Sequence, residues 1–349
     1  MEHFTKYLMY ANQTIREALI RLDELASDAT VFLTDDNGFL KGSVTDGDIR
    51  RGLIRGISPK EKIQQIANAS PKFIRRGSND IEKIIQYREK DIQILPVLDR
   101  NNDRVLNILN LKKQRSYLPV DAVIMAGGKG QRLMPLTENH PKPLLKVGGT
   151  AIIERNIDRL ALFGIDDITI SINYLGDQIE THLGNGSSKG IRINYVTETK
   201  PLGTIGSVGL IKEFHNDFVL VMNSDLLTNI DYESFFLDFI QSEAELSVLS
   251  IPYTVNIPYA VMETQGKKIL SLREKPSYTY YSNGGIYLMK REVLSLLPND
   301  EYYDATDLIE ALINSGRVVH SFPLVDYWLD IGNHDDFAKA QRDIEHIRF

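Results

Sequence analysis

The sequence predicts an α/β protein: a mixed, mostly parallel sheet covered by helices, preceded by a small module written twice. Three observations lead there. From residue 120 onward, apolar runs of strand length alternate with amphipathic helical stretches, the pattern of strands joined by helical crossovers. The first 117 residues repeat a helix–strand–turn–strand unit after about 65 residues. A glycine-rich loop follows the first apolar run of the larger part, at the strand end where open α/β sheets receive ligands.

Within residues 1–60, Ile15, Ala18, Leu19, Leu22 and Leu25 recur at helical spacing, and TVFLTDDNGFLKGSVT reads as strand, turn, strand. Within residues 61–117, Ile81, Ile84 and Ile85 restart the helix, and QILPVLDRNNDRVLNIL repeats the strands. The turn DDNG at 35–38 corresponds to DRNN at 99–102. Two copies are too few for a solenoid, so a paired module is expected. SYLPVD at 116–121 reads as a linker stiffened by Pro119. Residues 120–349 form the third expected domain. Its strands are AVIMAG, DITISIN, RINYV, FVLVMNSD, ELSVLSIPY, GGIYLM and VVHSFPL. Its helices are AIIERNIDRLALFG, ATDLIEALINSG and one near 334–347.

Composition narrows the chemistry. The absence of cysteine excludes disulfides, thiolate metal sites and a cysteine nucleophile. No run reaches the length of a membrane span and no secretory leader is legible, so a cytoplasmic protein without a membrane partner is expected. Charge is divided unevenly: residues 1–119 carry 20 Lys+Arg against 16 Asp+Glu, and residues 120–349 carry 20 against 31. A part with net charge −11 is no nucleic-acid binder, although a few placed cations can still hold a small anion.

The stretch AVIMAGGKGQRLMPLTENHPKPLL at 122–145 has that character. It lacks the Gly-Lys-Ser/Thr of a Walker loop, and Leu133 stands where a dinucleotide fingerprint needs its third glycine. Gly127, Gly128 and Gly130 free backbone N–H groups to approach phosphate oxygens. Arg132 offers a planar fork of donors, and Lys142, between Pro141 and Pro143, a point charge.

GGKGQRLMPLT followed by PKPLL resembles the signature of the sugar-1-phosphate nucleotidyltransferases, and the resemblance continues in separated motifs from about Val120 to Gly332. It implies a Rossmann-like, GT-A-like fold, two substrates (an NTP and a sugar 1-phosphate) and a Mg²⁺ cofactor. Met125, Ala126 and the three glycines would line the nucleotide, Arg132 the β- and γ-phosphates, and Lys142 the α-phosphate. Asp225, ending FVLVMNSD, and Asp330, in YWLDIG, would hold the metal, a carboxylate pair suited to Mg²⁺. REKP at 273–276 resembles the family's Glu-Lys-Pro motif, giving Lys275 for the sugar phosphate and Glu274 for sugar hydroxyls. Asn283, Gly284 and Thr306 are further expected sugar contacts, and Tyr287 and Trp328 are expected in the core.

Glu198, five residues before Gly203 in ETKPLGT, stands at the family's base-reading position. An ionised carboxylate accepts only, which suits the paired N–H donors of guanine, so GTP is expected, with UTP or dTTP next and CTP or ATP last. GSVTDGDIRRGL at 42–53 resembles the end of a CBS domain, and the repeat resembles a tandem CBS pair. Thr45 and Asp48 would then hold an adenine nucleotide. The second copy has Asn110 and Lys113 at those positions, so the module is expected either to bind one ligand or to serve as a dimer scaffold. The whole arrangement resembles guanylyltransferases that activate glucosamine 1-phosphate for nonulosonic acid synthesis; mannose or heptose 1-phosphate stay open. An inactive nucleotide-sensing regulator is the alternative from another class, and the intact set Arg132, Lys142, Asp225, Lys275 and Asp330 argues against it.

Overall fold

The structure, a computed structural model, describes residues 4–347. The front part holds β1 (Leu8–Tyr10), α1 (Ile15–Leu25), β2 (Thr30–Thr34), β3 (Leu40–Thr45), α2 (Asp46–Ile54), β4 (Ile74–Arg75), α3 (Ile81–Glu89), β5 (Ile94–Leu98) and β6 (Val105–Asn110). These make two three-stranded sheets of one connectivity: β1 parallel to β2 and β2 antiparallel to β3, then β4 parallel to β5 and β5 antiparallel to β6. α1 starts where its sequence dictates. Thr14 accepts from the Glu17 N–H at 3.2 Å while the Glu17 carboxylate takes the Thr14 N–H at 2.7 Å. Ile15, Ala18, Leu22 and Leu25 face inward, in a core shared with Ile94, Leu98 and Ile108 of the second sheet.

The larger part begins at β7 (Val120–Met125) and a small hairpin, β8 (Lys146–Val147) and β9 (Thr150–Ala151). It continues through α4 (Ile152–Leu162), β10 (Asp167–Ile172), α5 (Gly176–Leu183), β11 (Arg192–Thr197), β12 (Phe218–Asn223), β13 (Leu226–Thr228) and α6 (Tyr232–Gln241). It ends with β14 (Leu246–Asn256), β15 (Val261–Gln265), β16 (Lys268–Arg273), β17 (Ser277–Lys290), α7 (Ala305–Asn314), β18 (Val319–Pro323), β19 (Trp328–Asp330) and α8 (His334–Asp343). Seven strands form one sheet, β11-β10-β7-β12-β17-β14-β18, parallel throughout except for β17, which opposes both neighbours. α4 and α6 pack Ile153, Ile157, Phe235 and Phe236 on one face; α7 packs Leu308 and Leu312 on Val219, Val221 and Met289 of the other. Burial on both faces is why these strands read as apolar runs instead of alternating.

Beyond the sheet, residues 252–256 of β14 and 277–281 of β17 continue as a two-stranded ribbon that leads into the β15–β16 hairpin. Tyr253 and Tyr280 pair across it, both exposed.

The front part docks at the end of the sheet where β10 and β12 begin. Arg76 reaches Asp166 and Asp167 at 3.1 and 2.7 Å, Arg100 reaches Asp217 at 3.0 Å, and Arg88 reaches Glu233 at 2.9 Å. The uneven charge of the chain is thus used internally. Burial works against the Arg76 guanidinium, but Asp166, Tyr117 and Asp167 outweigh it and hold its pKa up; burial also pushes the Asp166 carboxyl and the Tyr117 phenol up. The segment 116–121 is no free tether. Ser116, Tyr117, Leu118, Val120 and Asp121 are buried, and Val120 and Asp121 already belong to β7.

Candidate active site

A cavity of about 720 Å³ opens at the carboxyl ends of β7 and β12, walled by the glycine-rich loop. The loop is shaped by packing as well as by ligand access. A Cβ on Gly127 would lie 2.7 Å from Glu198 Oε1, and one on Gly130, at φ +62, would crowd Thr137 and Lys142. Gly128 has open space, so it is the glycine able to admit a phosphate against bare backbone. Ala126 anchors the loop, its N–H donating to the Ser171 carbonyl at 2.8 Å. Met125 and Gly127 to Arg132 all line the cavity.

Lys142, held on a short 3₁₀ turn after Pro141, also lines it and pairs with Asp225 Oδ2. Asp225 directly precedes β13, which runs antiparallel to β19 with Leu226 opposite Asp330. That ladder joins the two expected metal aspartates, and the Ile331 N–H closes it on the Asp225 carbonyl at 3.1 Å. Asp225 Oδ1 and Asp330 Oδ1 are buried with no hydrogen-bond partner among the described residues. Desolvation, then the charge of Asp225, raise the Asp330 carboxyl above the usual range. Two converging acceptors with nothing to accept from fit a hard divalent cation. Among the described residues, no group of three or more His, Cys, Asp or Glu is gathered, so phosphate oxygens and water would complete the shell. Arg132 reaches the same corner: a Cβ on Gly332 would sit 3.3 Å from its guanidinium.

Glu198 is buried in the cavity wall against Gly127. Its Oε1 accepts from Ser171 Oγ at 2.6 Å and its Oε2 from the Leu202 N–H at 3.3 Å, while Asn173 Nδ2 donates to its backbone carbonyl at 2.7 Å. Gly203 lines the cavity at φ +78; a Cβ there would lie 2.6 Å from the Tyr303 carbonyl, so it is the neighbouring chain that requires a glycine.

The expected sugar residues stand apart. Glu274 and Lys275 are exposed beyond β16 and do not line the cavity; Lys275 adopts φ 42, a strained value for a side chain with a Cβ. Asn283 accepts the Gly285 N–H at 2.9 Å, and the Gly284 carbonyl accepts from Trp328 Nε1 at 2.9 Å. Tyr287 is buried and Trp328 packs on the core. Thr306 is exposed in the first turn of α7, off the cavity wall.

In the front part, Thr45 and Asp48 form a reciprocal cap on α2, with the Thr45 N–H to Asp48 Oδ2 at 2.8 Å and Arg51 on Oδ1 at 2.6 Å. Burial opposes ionisation of Asp48, yet Thr45 and Arg51 hold its carboxyl low. Asn110 and Lys113 line a second cavity, about 370 Å³, between the front part and α4.

Sequence reasoning missed Asn173, Thr204, Asn223, Ser224 and Tyr302 on the main cavity wall. Asn223 and Ser224 had a signal, since they directly precede Asp225 at the end of an apolar strand. Tyr302 had none.

The profile of the nucleotidyl transferase family matches residues 121–347. A mannose-1-phosphate guanylyltransferase of Mycobacterium tuberculosis is 32% identical over 233 residues, 64% of this chain and 64% of its own length. A D-glycero-alpha-D-manno-heptose 1-phosphate guanylyltransferase of Aneurinibacillus thermoaerophilus is 28% identical, over 65% of this chain and 99% of its own. A Bacillus anthracis structure assigned as a glucose-1-phosphate thymidylyltransferase superposes with TM-score 0.54 at 28% identity, covering 66% of this chain and 97% of that one. No helix among the described residues is long and apolar enough to cross a membrane.

Proposed function

Because the chain belongs to the nucleotidyl transferase family, we propose that it transfers a nucleotidyl group from an NTP to a sugar 1-phosphate. A phosphate oxygen of the sugar 1-phosphate bonds to the α-phosphorus of the NTP, and the bond from that phosphorus to the bridging oxygen breaks. The products are NDP-sugar and pyrophosphate. No protein nucleophile is needed, so the residues contribute position and charge. The observation that carries the reading is the corner where Arg132, Lys142 and Asp225 line the cavity with Gly128, and where Asp330, off the wall itself, feels the charge of all three.

In this reading Arg132 takes the departing pyrophosphate and Lys142 the charge at the α-phosphate, as the resemblance implies. A Mg²⁺ ion held by Asp225 and Asp330 would neutralise phosphate oxygens when bound. Glu198 keeps lone pairs beyond those used by Ser171 and Leu202, and a carboxylate there suits guanine N1–H and its 2-amino group. GTP is therefore our proposed donor. Glucosamine 1-phosphate is our proposed acceptor on the resemblance above, with mannose or heptose 1-phosphate as the alternatives in keeping with the two guanylyltransferase relatives. The front part is proposed to modulate the enzyme or pair two copies.

The test is a matrix of four or five sugar 1-phosphates against GTP, UTP, dTTP, CTP and ATP with Mg²⁺, following pyrophosphate. GTP should exceed every other donor; release with no pair would sink the reading.

A further inference from the structure

The loop that forms the base side of the cavity is held by an exchange between two segments a hundred residues apart. An aspartate at a helix N-cap ordinarily accepts from the amides of its own first turn. Asp304 precedes α7, yet its carboxylate reaches outward: Oδ1 accepts the Thr204 N–H at 2.9 Å and the Thr204 hydroxyl at 3.0 Å. Oδ2 takes the Tyr302 hydroxyl at 2.8 Å. In return, Thr204 Oγ1 accepts the first amide of α7, Ala305 N–H, at 2.9 Å. Each segment caps the other.

The surrounding backbone follows the same seam. Tyr303 N–H donates to the Leu202 carbonyl at 3.0 Å, and Ile205 and Gly206 N–H both donate to the Tyr303 carbonyl, at 3.2 and 3.1 Å. Glu198 holds the Leu202 N–H from the other side. Residues 202–204 are thus fixed between two carboxylates, and both Thr204 and Tyr302 line the cavity. Burial opposes the Asp304 charge, but the Thr204 and Tyr302 donors hold its carboxyl low, so it remains an anionic acceptor at neutral pH.

We propose that Asp304 is a positioning residue for the nucleotide: through Thr204 it sets the base-side loop against which the NTP binds. It touches no reacting atom in this account, and the proposal rests on the transferase reading above. Loss of Asp304 should therefore weaken nucleotide binding and leave the chemical step intact once the site is filled.

The experiment uses the full chain. Nucleotide affinity is measured by calorimetry, and kcat and both KM values by pyrophosphate release, for the parent, Asp304→Ala, Asp304→Asn and Thr204→Val. Asp304→Ala should raise the Kd and KM for the NTP about ten- to a hundredfold, the scale of losing a charge-assisted pair of hydrogen bonds. kcat and the KM for sugar phosphate should stay within about threefold of the parent. Asp304→Asn keeps one acceptor oxygen for Thr204 and should recover most of the affinity. Thr204→Val keeps the backbone donor and should fall between; it carries the test should Asp304→Ala fail to fold. Unchanged NTP affinity in Asp304→Ala, or in Thr204→Val where the alanine variant does not fold, overturns the proposal. So does Asp304→Asn as impaired as Asp304→Ala. A parent that binds NTP yet makes no product sinks the transferase reading instead, and the binding arm still decides the role of Asp304.

Discussion

Asp225 and Asp330 meet at one end of a three-residue antiparallel ladder, Asp225 just before β13 and Asp330 opposite Leu226, with Lys142 on the Asp225 carboxylate and, among the described residues, a buried, unpartnered oxygen on each. Burial of the Asp330 carboxylate, and next its repulsion by Asp225, cost the unliganded protein stability, as the raised Asp330 carboxyl indicates. Asp330→Asn removes that repulsion with little change of shape. It should raise the melting temperature of the metal-free protein while cutting turnover at least about a hundredfold. Asp225→Asn should lose turnover similarly but gain no stability, because it takes the paired carboxylate from the largely enclosed Lys142 ammonium. Thermal unfolding in EDTA beside pyrophosphate release in Mg²⁺ checks both.

Glu198→Gln replaces one acceptor oxygen with a donor at the base wall. The amide can still satisfy Leu202 with its oxygen and turn its nitrogen to Ser171 Oγ, so the loop should hold. Use of GTP should fall about 5- to 150-fold, the cost of an opposed hydrogen bond, and the ratio of UTP to GTP use should rise. Competition between the two nucleotides in one reaction gives the ratio directly; an unchanged ratio would remove Glu198 from base selection.

Arg76→Ala takes its cation from the half-buried Asp166 and leaves the buried Asp167 only Arg192, at 3.1 Å, at the seam between the two parts. Breaking a buried pair from one side costs about 3–5 kcal/mol. Arg76 keeps 23% of its side chain exposed, which places the loss toward the lower end. Urea unfolding should lose its single transition and show the front part melting first. Cleavage near residues 116–119 by added protease should accelerate.

Tyr232 supplies a pH test. Burial raises its phenol well above the usual value, so the unfolded chain releases this proton from about pH 10 while the folded chain keeps it. Its stabilising contribution is complete below pH 10 and is lost as pH rises through the folded value, at up to about 1.4 kcal/mol per pH unit. Among the described residues the hydroxyl donates to Met222 Sδ at 3.7 Å and to no oxygen or nitrogen, so Tyr232→Phe leaves no strong partner stranded. Denaturant midpoints between pH 9 and 11 should fall less steeply in that variant.

What could be read in the sequence follows from where contrast existed. α4 and α7 carry strong apolar stripes, Ile153-Ile157-Leu160 and Leu308-Leu312, and were legible to within a residue or two. α6 was missed because YESFFLDFIQ buries Tyr232, Phe235, Phe236 and Phe239 with little polar contrast, although Asp231 caps it on the Ser234 N–H. The β15–β16 hairpin is exposed on every side and offers no period of burial to detect. At the site, local motifs exposed Lys142 and the glycines, whereas the β13–β19 ladder has too few residues to show a pattern. Tyr302 and Asp304 acquire their positions only through a segment a hundred residues away.

Lys275 sits in the bend between β16 and β17, at the far end of an arm built from two strands of the central sheet. In the proposed function its ammonium meets a sugar phosphate only if that arm bends toward the cavity, which Lys275 does not line; the register break between Val248 and Ser250 is the irregular point in its pairing. Collective bending of this kind runs in microseconds to milliseconds, far slower than the rotation of a side chain. The nucleotide would enter a cradle already shaped by Glu198 and Asp304, while its acceptor would wait for a closing arm, so the two substrates would be captured on separate clocks.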